Sequence, residues 1–141
     1  MGLSRTRMVR QFPLAGGALL LGLWACDNSG VPPAYRKVVV PELRIASAEA
    51  RLRGRALFQD HCALCHGERA DGRGRRRNLS IPPADFRDPT WRARVTPRRA
   101  FFVIREGIQG TPMPAWKALN EDETWDLVAY VLSVAEQTPK N

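Results

Sequence analysis

Cys62-Ala63-Leu64-Cys65-His66 constrains this chain more than any other stretch. Cysteines three apart lie on one face of a helical turn, so both thiols can meet the two vinyl groups on one edge of a porphyrin. The histidine that follows brings an imidazole under the iron as a proximal ligand. C-x-x-C-H is therefore the attachment signature of a c-type haem. The rival uses of these residues are few. A zinc ribbon would need a second C-x-x-C or two ligating histidines, and the only other histidine is His61, adjacent to Cys62. A thioredoxin-like pair would want a βαβ context and has no use for His66. A structural disulfide across four residues would add little.

The third cysteine has a different setting. Arg5, Arg7 and Arg10 precede an apolar stretch from Phe12 to Ala25 that is too short for a comfortable membrane span. A basic start and a short apolar core read as an export signal. Leu23-Trp24-Ala25-Cys26 then resembles the lipobox of bacterial lipoproteins, with Trp24 where a small residue is usual. Residues 1–25 are accordingly read as a signal peptide. Cys26 is read as a lipid anchor holding the mature chain at the periplasmic face of a bacterial membrane, and Asp27 resembles an inner-membrane retention signal. Each buried acyl CH₂ contributes about 0.8 kcal/mol, and two or more chains make anchoring stable. The alternatives are an uncleaved N-terminal anchor or a buried free thiol.

Signal removal also sharpens the charge. The whole chain has 22 Lys+Arg against 14 Asp+Glu; without the three arginines of residues 1–25, 19 against 14 remain, a balance of +5. Most of the surplus is local, with eleven arginines and only Asp71, Asp85 and Asp88 between Arg69 and Arg105. An exported protein meets no genomic DNA, so nucleic acid is not an expected partner. The Arg73–Arg77 cluster is either a solvated loop or a docking face for an acidic redox partner or an anionic membrane.

About 115 residues follow the signal, enough for one domain. Residues 26–45 carry Pro32, Pro33 and Pro41 and little helical periodicity. They read as a tether with a root-mean-square reach of roughly 25 Å, unless Val38-Val39-Val40 lies along the domain or a partner as a short extended strand. The domain spans 46–138, with 139–141 as a tail. Ser47 is expected to cap a helix running to about Asp60, in which the mid-helix Gly54 costs about 1 kcal/mol relative to alanine and wants a reason. Thr96-Pro97 opens a second helix and Gly107 closes it. Asn120 and Glu123 form a capping box before a last helix with Trp125, Val128, Ala129 and Leu132 at i, i+3, i+4 and i+7. Nothing reads as a paired strand. The expected fold is all-α, about three to five helices packed round one covalently held haem.

The sixth iron position has few claimants. Met1 and Met8 leave with the signal peptide, so Met113 is the only methionine of the mature chain, and His61 sits too near Cys62 to reach round the ring. Met113, a lysine or an open site remain. Gly110-Thr111-Pro112-Met113-Pro114 restricts its backbone at two prolines, a reasonable way to hold a weak thioether against iron, and Met113 is the expected axial ligand. Trp91 and Trp116 are read either as core residues or as haem neighbours, and arginines of the 87–99 stretch as possible partners of the propionates.

Residues from about Arg53 to Ala135 resemble class I, single-haem bacterial cytochromes c, close to the membrane-associated, cbb3-oxidase-like branch. The resemblance is carried by Gly54-x-x-x-Phe58, Cys62-Ala63-Leu64-Cys65-His66-Gly67 and Asp71-Gly72-x-Gly74. It continues through Pro82-Pro83-Ala84-Asp85-Phe86, Met113-Pro114-Ala115-Trp116 and Trp125…Tyr130-Val131. It implies that the first and last helices cross beside the haem, with Gly54 kept small for the approach of the last helix at Tyr130. It also implies that a proline carbonyl, Pro82 or Pro83, accepts the Nδ1–H of His66 and orients the ring. The function that follows is one-electron, outer-sphere transfer in a respiratory chain, with a comparatively high potential from the thioether. The expected cofactor is one haem c, bound by Cys62 and Cys65 with His66 and Met113 as axial ligands. Expected partners are redox proteins: a quinol-oxidising complex, a terminal oxidase, or another periplasmic reductase or dehydrogenase. The chain would then be a carrier or a carrier subunit and not itself an enzyme. The competing readings are a haem enzyme or gas sensor with an open distal site, and a non-haem metal-binding lipoprotein.

Overall fold

The computed structural model describes residues 30–136, so the expected signal peptide, Cys26 and the expected tail 139–141 lie outside the described residues. Among the described residues there are seven helical segments and no strand. None of these helices is long and apolar enough to cross a membrane. The three helices expected from the sequence form where their caps place them. Helix α3, Ala48–His61, starts at Ser47, whose hydroxyl accepts from the Ala50 N–H at 3.1 Å. Helix α6, Pro97–Glu106, starts at Thr96, which accepts from Arg99 N–H at 3.2 Å, and stops at Gly107. Helix α7, Glu121–Val134, opens on the capping box. Glu123 N–H donates to Asn120 Oδ1 at 2.9 Å, and Asn120 N–H donates to Glu123 Oε2 at 2.8 Å.

Helices α3 and α7 form the principal crossing. The buried stripe of α3 is Ala50, Gly54 and Phe58, while Leu52 on its outer face is 67% exposed. A Cβ built on Gly54 would overlap the Asp126 carbonyl of α7 and lie 3.0 Å from Tyr130 Cβ. The glycine exists for this contact, centred on the Asp126 backbone with Tyr130 beside it. Behind the crossing Trp125, Val128, Ala129 and Leu132 are buried, as the periodicity requires. Trp125 meets Phe101 of α6 with ring centroids 4.3 Å apart. Asp126 is also buried, its carboxylate accepting from Arg44 Nε at 2.8 Å and Arg53 Nε at 2.7 Å.

The stretch expected as a free tether is, from Gly30 onward, packed on the domain. It forms α1, Pro33–Arg36, and α2, Glu42–Ala46. Val31 is buried. The Tyr35 ring stands edge-on to Phe102 at 5.0 Å, and its hydroxyl donates to Glu106 Oε1 at 2.5 Å. Arg98 Nε donates to the Val38 carbonyl at 2.8 Å, and Arg44 ties α2 to Asp122 and Asp126 of α7. Its prolines shorten the helices without freeing the segment, because side chains far away in sequence hold it. These two segments, with the single turn α4, Ala63–His66, and α5, Pro89–Arg94, account for the helices beyond those expected. Helix α5 had a local signal: Asp88 accepts from Thr90 N–H at 2.7 Å, and Pro89 takes the first helical position.

Candidate haem site

The C-x-x-C-H run sits where α3 hands over to α4. Cys62 N–H closes the last turn of α3 on the Phe58 carbonyl at 2.8 Å, and Cys65 and His66 N–H both return to the Cys62 carbonyl, at 3.1 and 2.9 Å. This one compact turn carries both thiols and the imidazole. The turn's own carbonyls are then satisfied by the loop that follows. Gly74 donates to Cys65 at 3.1 Å, Arg76 to Leu64 at 2.9 Å and Gly72 to His66 at 2.8 Å. A Cβ on Gly74 would overlap the Leu64 and Cys65 carbonyls, so a glycine is needed there for the loop to reach them. Asp71 is buried beneath the loop, accepting from Arg73 N–H at 3.1 Å and facing Arg69 at 3.4 Å.

His66 is held from both sides. Its ring stacks on Phe86 at 4.7 Å with an interplanar angle of 17°, and its Nδ1 lies 3.2 Å from the Ala84 carbonyl. The acceptor is therefore Ala84, and neither Pro82 nor Pro83. The chain turning back from those prolines brings the next carbonyl to the ring, and Phe86 N–H, bonded to the Ala70 carbonyl at 2.9 Å, fixes that turn. A carbonyl only accepts, so Nδ1 carries the proton and Nε2 keeps its lone pair. Burial lowers the His66 pKa and favours the neutral ring, while the bond to Ala84 pulls the other way. Burial likewise pushes the Cys62 thiol up to about 12, with a smaller contribution from Cys65. Cys62 and Cys65 are both free thiols.

These groups open onto a cavity of about 440 Å³ that Cys62, Cys65, His66 and Met113 all line. Met113 arrives from the loop after α6. Its N–H donates to Thr111 Oγ1 at 3.1 Å, and its carbonyl accepts from Ile108 N–H at 3.2 Å, so the segment is pinned on both sides of the thioether. Trp91 and Trp116 both line the cavity. Trp91 packs against Phe86 at 4.7 Å, and Trp116 against His61 at 5.2 Å. Among the 87–99 arginines only Arg99 lines it. Arg87 is taken by Asp85 at 3.1 Å, Arg92 by the Leu132 carbonyl at 3.1 Å and Arg94 by the Thr90 carbonyl at 3.1 Å. Arg76 is the second arginine of the lining and escaped sequence reasoning. Within Arg75-Arg76-Arg77 no local signal distinguishes the middle residue; its place follows from its backbone bond to Leu64.

A haem fits this set of groups. Two thiols share one turn, a neutral imidazole has a free Nε2, and a thioether stands in the same cavity. The lining is largely apolar, holds no Asp or Glu, and includes two guanidiniums: that of Arg76, able to meet a propionate, and that of Arg99, which donates to the Gly30 carbonyl. Among the described residues no three His, Cys, Asp or Glu side chains converge on a common point to hold a metal ion. The iron would thus need the porphyrin's own nitrogens. No curated protein matches the chain. The family described as cytochrome c oxidase, cbb3-type, subunit III matches through its model at residues 49–131, which leaves the packed segment 30–46 outside the match. With that match covering most of the folded domain, the chain belongs to this cytochrome c family, whose domain binds haem and carries electrons.

Proposed function

We propose that the chain is a one-electron carrier of a respiratory chain. It would hold a single haem c through Cys62 and Cys65, with His66 and Met113 as axial ligands, and be anchored by lipidated Cys26 at the periplasmic face of the membrane. The observation that carries this reading is the gathering of Cys62, Cys65, His66 and Met113 around one cavity. A haem bound there would supply reversible one-electron chemistry with no bond to a substrate. The chain's residues do the rest. Ala84 and Phe86 orient the His66 ring. The Thr111 and Ile108 contacts hold Met113, while Phe58, Leu127 and Val131 keep water from the cavity. Held by His66 and Met113 together, the iron would have no place for a substrate, and the same two side chains would serve both oxidation states with little rearrangement. The partners would be a quinol-oxidising complex, a terminal oxidase or another periplasmic oxidoreductase.

The test is spectroscopic. The oxidised full-length protein is expected to show a methionine–Fe(III) charge-transfer band that Met113→Ala abolishes, and only the variant should bind carbon monoxide tightly when reduced. Tight carbon monoxide binding by the unmodified ferrous protein would instead indicate an open distal site, as in a haem enzyme or gas sensor.

A further inference from the structure

The mouth of the cavity carries exposed apolar side chains with a run of exposed arginines beside them. Leu64, Ile81 and Ile108 line the cavity and yet remain 52%, 49% and 44% exposed, so three large apolar side chains stand in water at its opening. Beside Leu64 runs the arginine loop, fastened there by the Arg76-to-Leu64 and Gly74-to-Cys65 backbone bonds. Arg75, Arg76 and Arg77 are exposed, and among the described residues no carboxylate pairs with them. Asp71 and Asp85, the first acids met on either side of the run, are engaged by Arg69 and Arg87. The other side of the mouth, residues 108–114, carries no charged side chain.

We propose that this rim is a docking surface for an acidic redox protein whose electron-exchange site has an uncharged apolar centre flanked on one side by carboxylates. The inference rests on the haem-carrier reading and names the partner of that same site. Its placement favours a protein over a bilayer. The cations border the opening itself, so whatever they attract arrives where an electron can cross, whereas lipid headgroups there would obstruct the exchange. Leu64, Ile81 and Ile108 would form the desolvated centre of the contact, and the arginines would steer encounter and set orientation. One electron passes to the partner, and no bond is made or broken.

The test uses plastocyanin, an acidic copper protein, as a probe oxidant of the reduced full-length chain. The second-order rate constant is expected to fall about tenfold as ionic strength rises from about 0.01 to 0.2 M. Arg75→Glu/Arg77→Glu should lower the low-salt rate about tenfold and flatten the salt profile. The equal charge change Lys37→Glu/Arg55→Glu, outside the cavity lining, should alter it by less than about twofold. Equal effects of the two double variants would reduce the rim to net charge and overturn the proposal. So would an unchanged rate in the rim variant. So would a rim variant that loses binding to vesicles of anionic phospholipid while reacting normally with plastocyanin, since that result assigns the arginines to the membrane. Exchange with hexaammineruthenium keeps the two readings apart. A chain that exchanges electrons normally with this small cation but ignores rim reversal loses only the docking surface, whereas one that exchanges none fails as a carrier.

Discussion

Replacing Gly54 with alanine is expected to destabilise the protein by about 3 kcal/mol, measured as a lowered urea midpoint of the purified full-length chain. The sign is what makes the result informative. In an exposed helix the same substitution stabilises by about 1 kcal/mol, because alanine is the better helix former. Here the added carbon would overlap the Asp126 carbonyl and press on Tyr130 Cβ, 3.0 Å away. A backbone carbonyl inside α7 cannot turn aside as a flexible side chain would, so α3 and α7 must separate. Phe58 of α3 and Leu127 and Val131 of α7 line the cavity, so the separation should also lower the fraction of chains recovered with haem. A neutral or stabilising Gly54→Ala would show that the two helices do not meet at this point.

Asp126→Ala should cost about 2 kcal/mol at neutral pH. The figure lies below the 3–5 kcal/mol typical of breaking a fully buried pair. The carboxylate is 4% exposed, but Arg44 and Arg53 are 28% and 54% exposed and can recover water. Burial on its own would raise the Asp126 pKa; the hydrogen bonds from Arg53 and Arg44 outweigh it and leave the value below the ordinary one. A carboxylate with a lowered native pKa stabilises fully above its unfolded value of about 3.9, and that contribution is lost as pH falls through the native value. The stability gap between native protein and Asp126→Ala should therefore hold from pH 7 to about 5 and close below about 4. A gap that stayed constant down to pH 3 would mean that the ion pairs are not its source. Because Asp126 lies at the point where Gly54 meets α7, the two substitutions should be less than additive when combined.

What could be read from the sequence was mostly local in origin. The side chains of Ser47, Thr96 and Asn120 each accept from a backbone N–H three residues on, so α3, α6 and α7 were visible without tertiary knowledge. The C-x-x-C-H turn likewise builds its geometry from its own backbone bonds. The parts that escaped depend on long-range contacts. Residues 30–46 look like linker because their prolines and short helices have no stability of their own; Tyr35 on Phe102 and Arg44 on Asp126 supply it. The His66 acceptor was misplaced by one or two residues, because the distance from Ala84 to the ring depends on a loop anchored at Ala70. Arg76 became a cavity residue only through its bond to Leu64.

The most direct test of the central claim is a spectroelectrochemical titration of the full-length protein after extraction with acid–acetone, which removes haem that is not covalently bound. The account predicts that one haem per chain survives extraction and titrates reversibly in a single one-electron step. A chain stripped of colour by extraction, or one whose retained haem shows no reversible one-electron step, would contradict it.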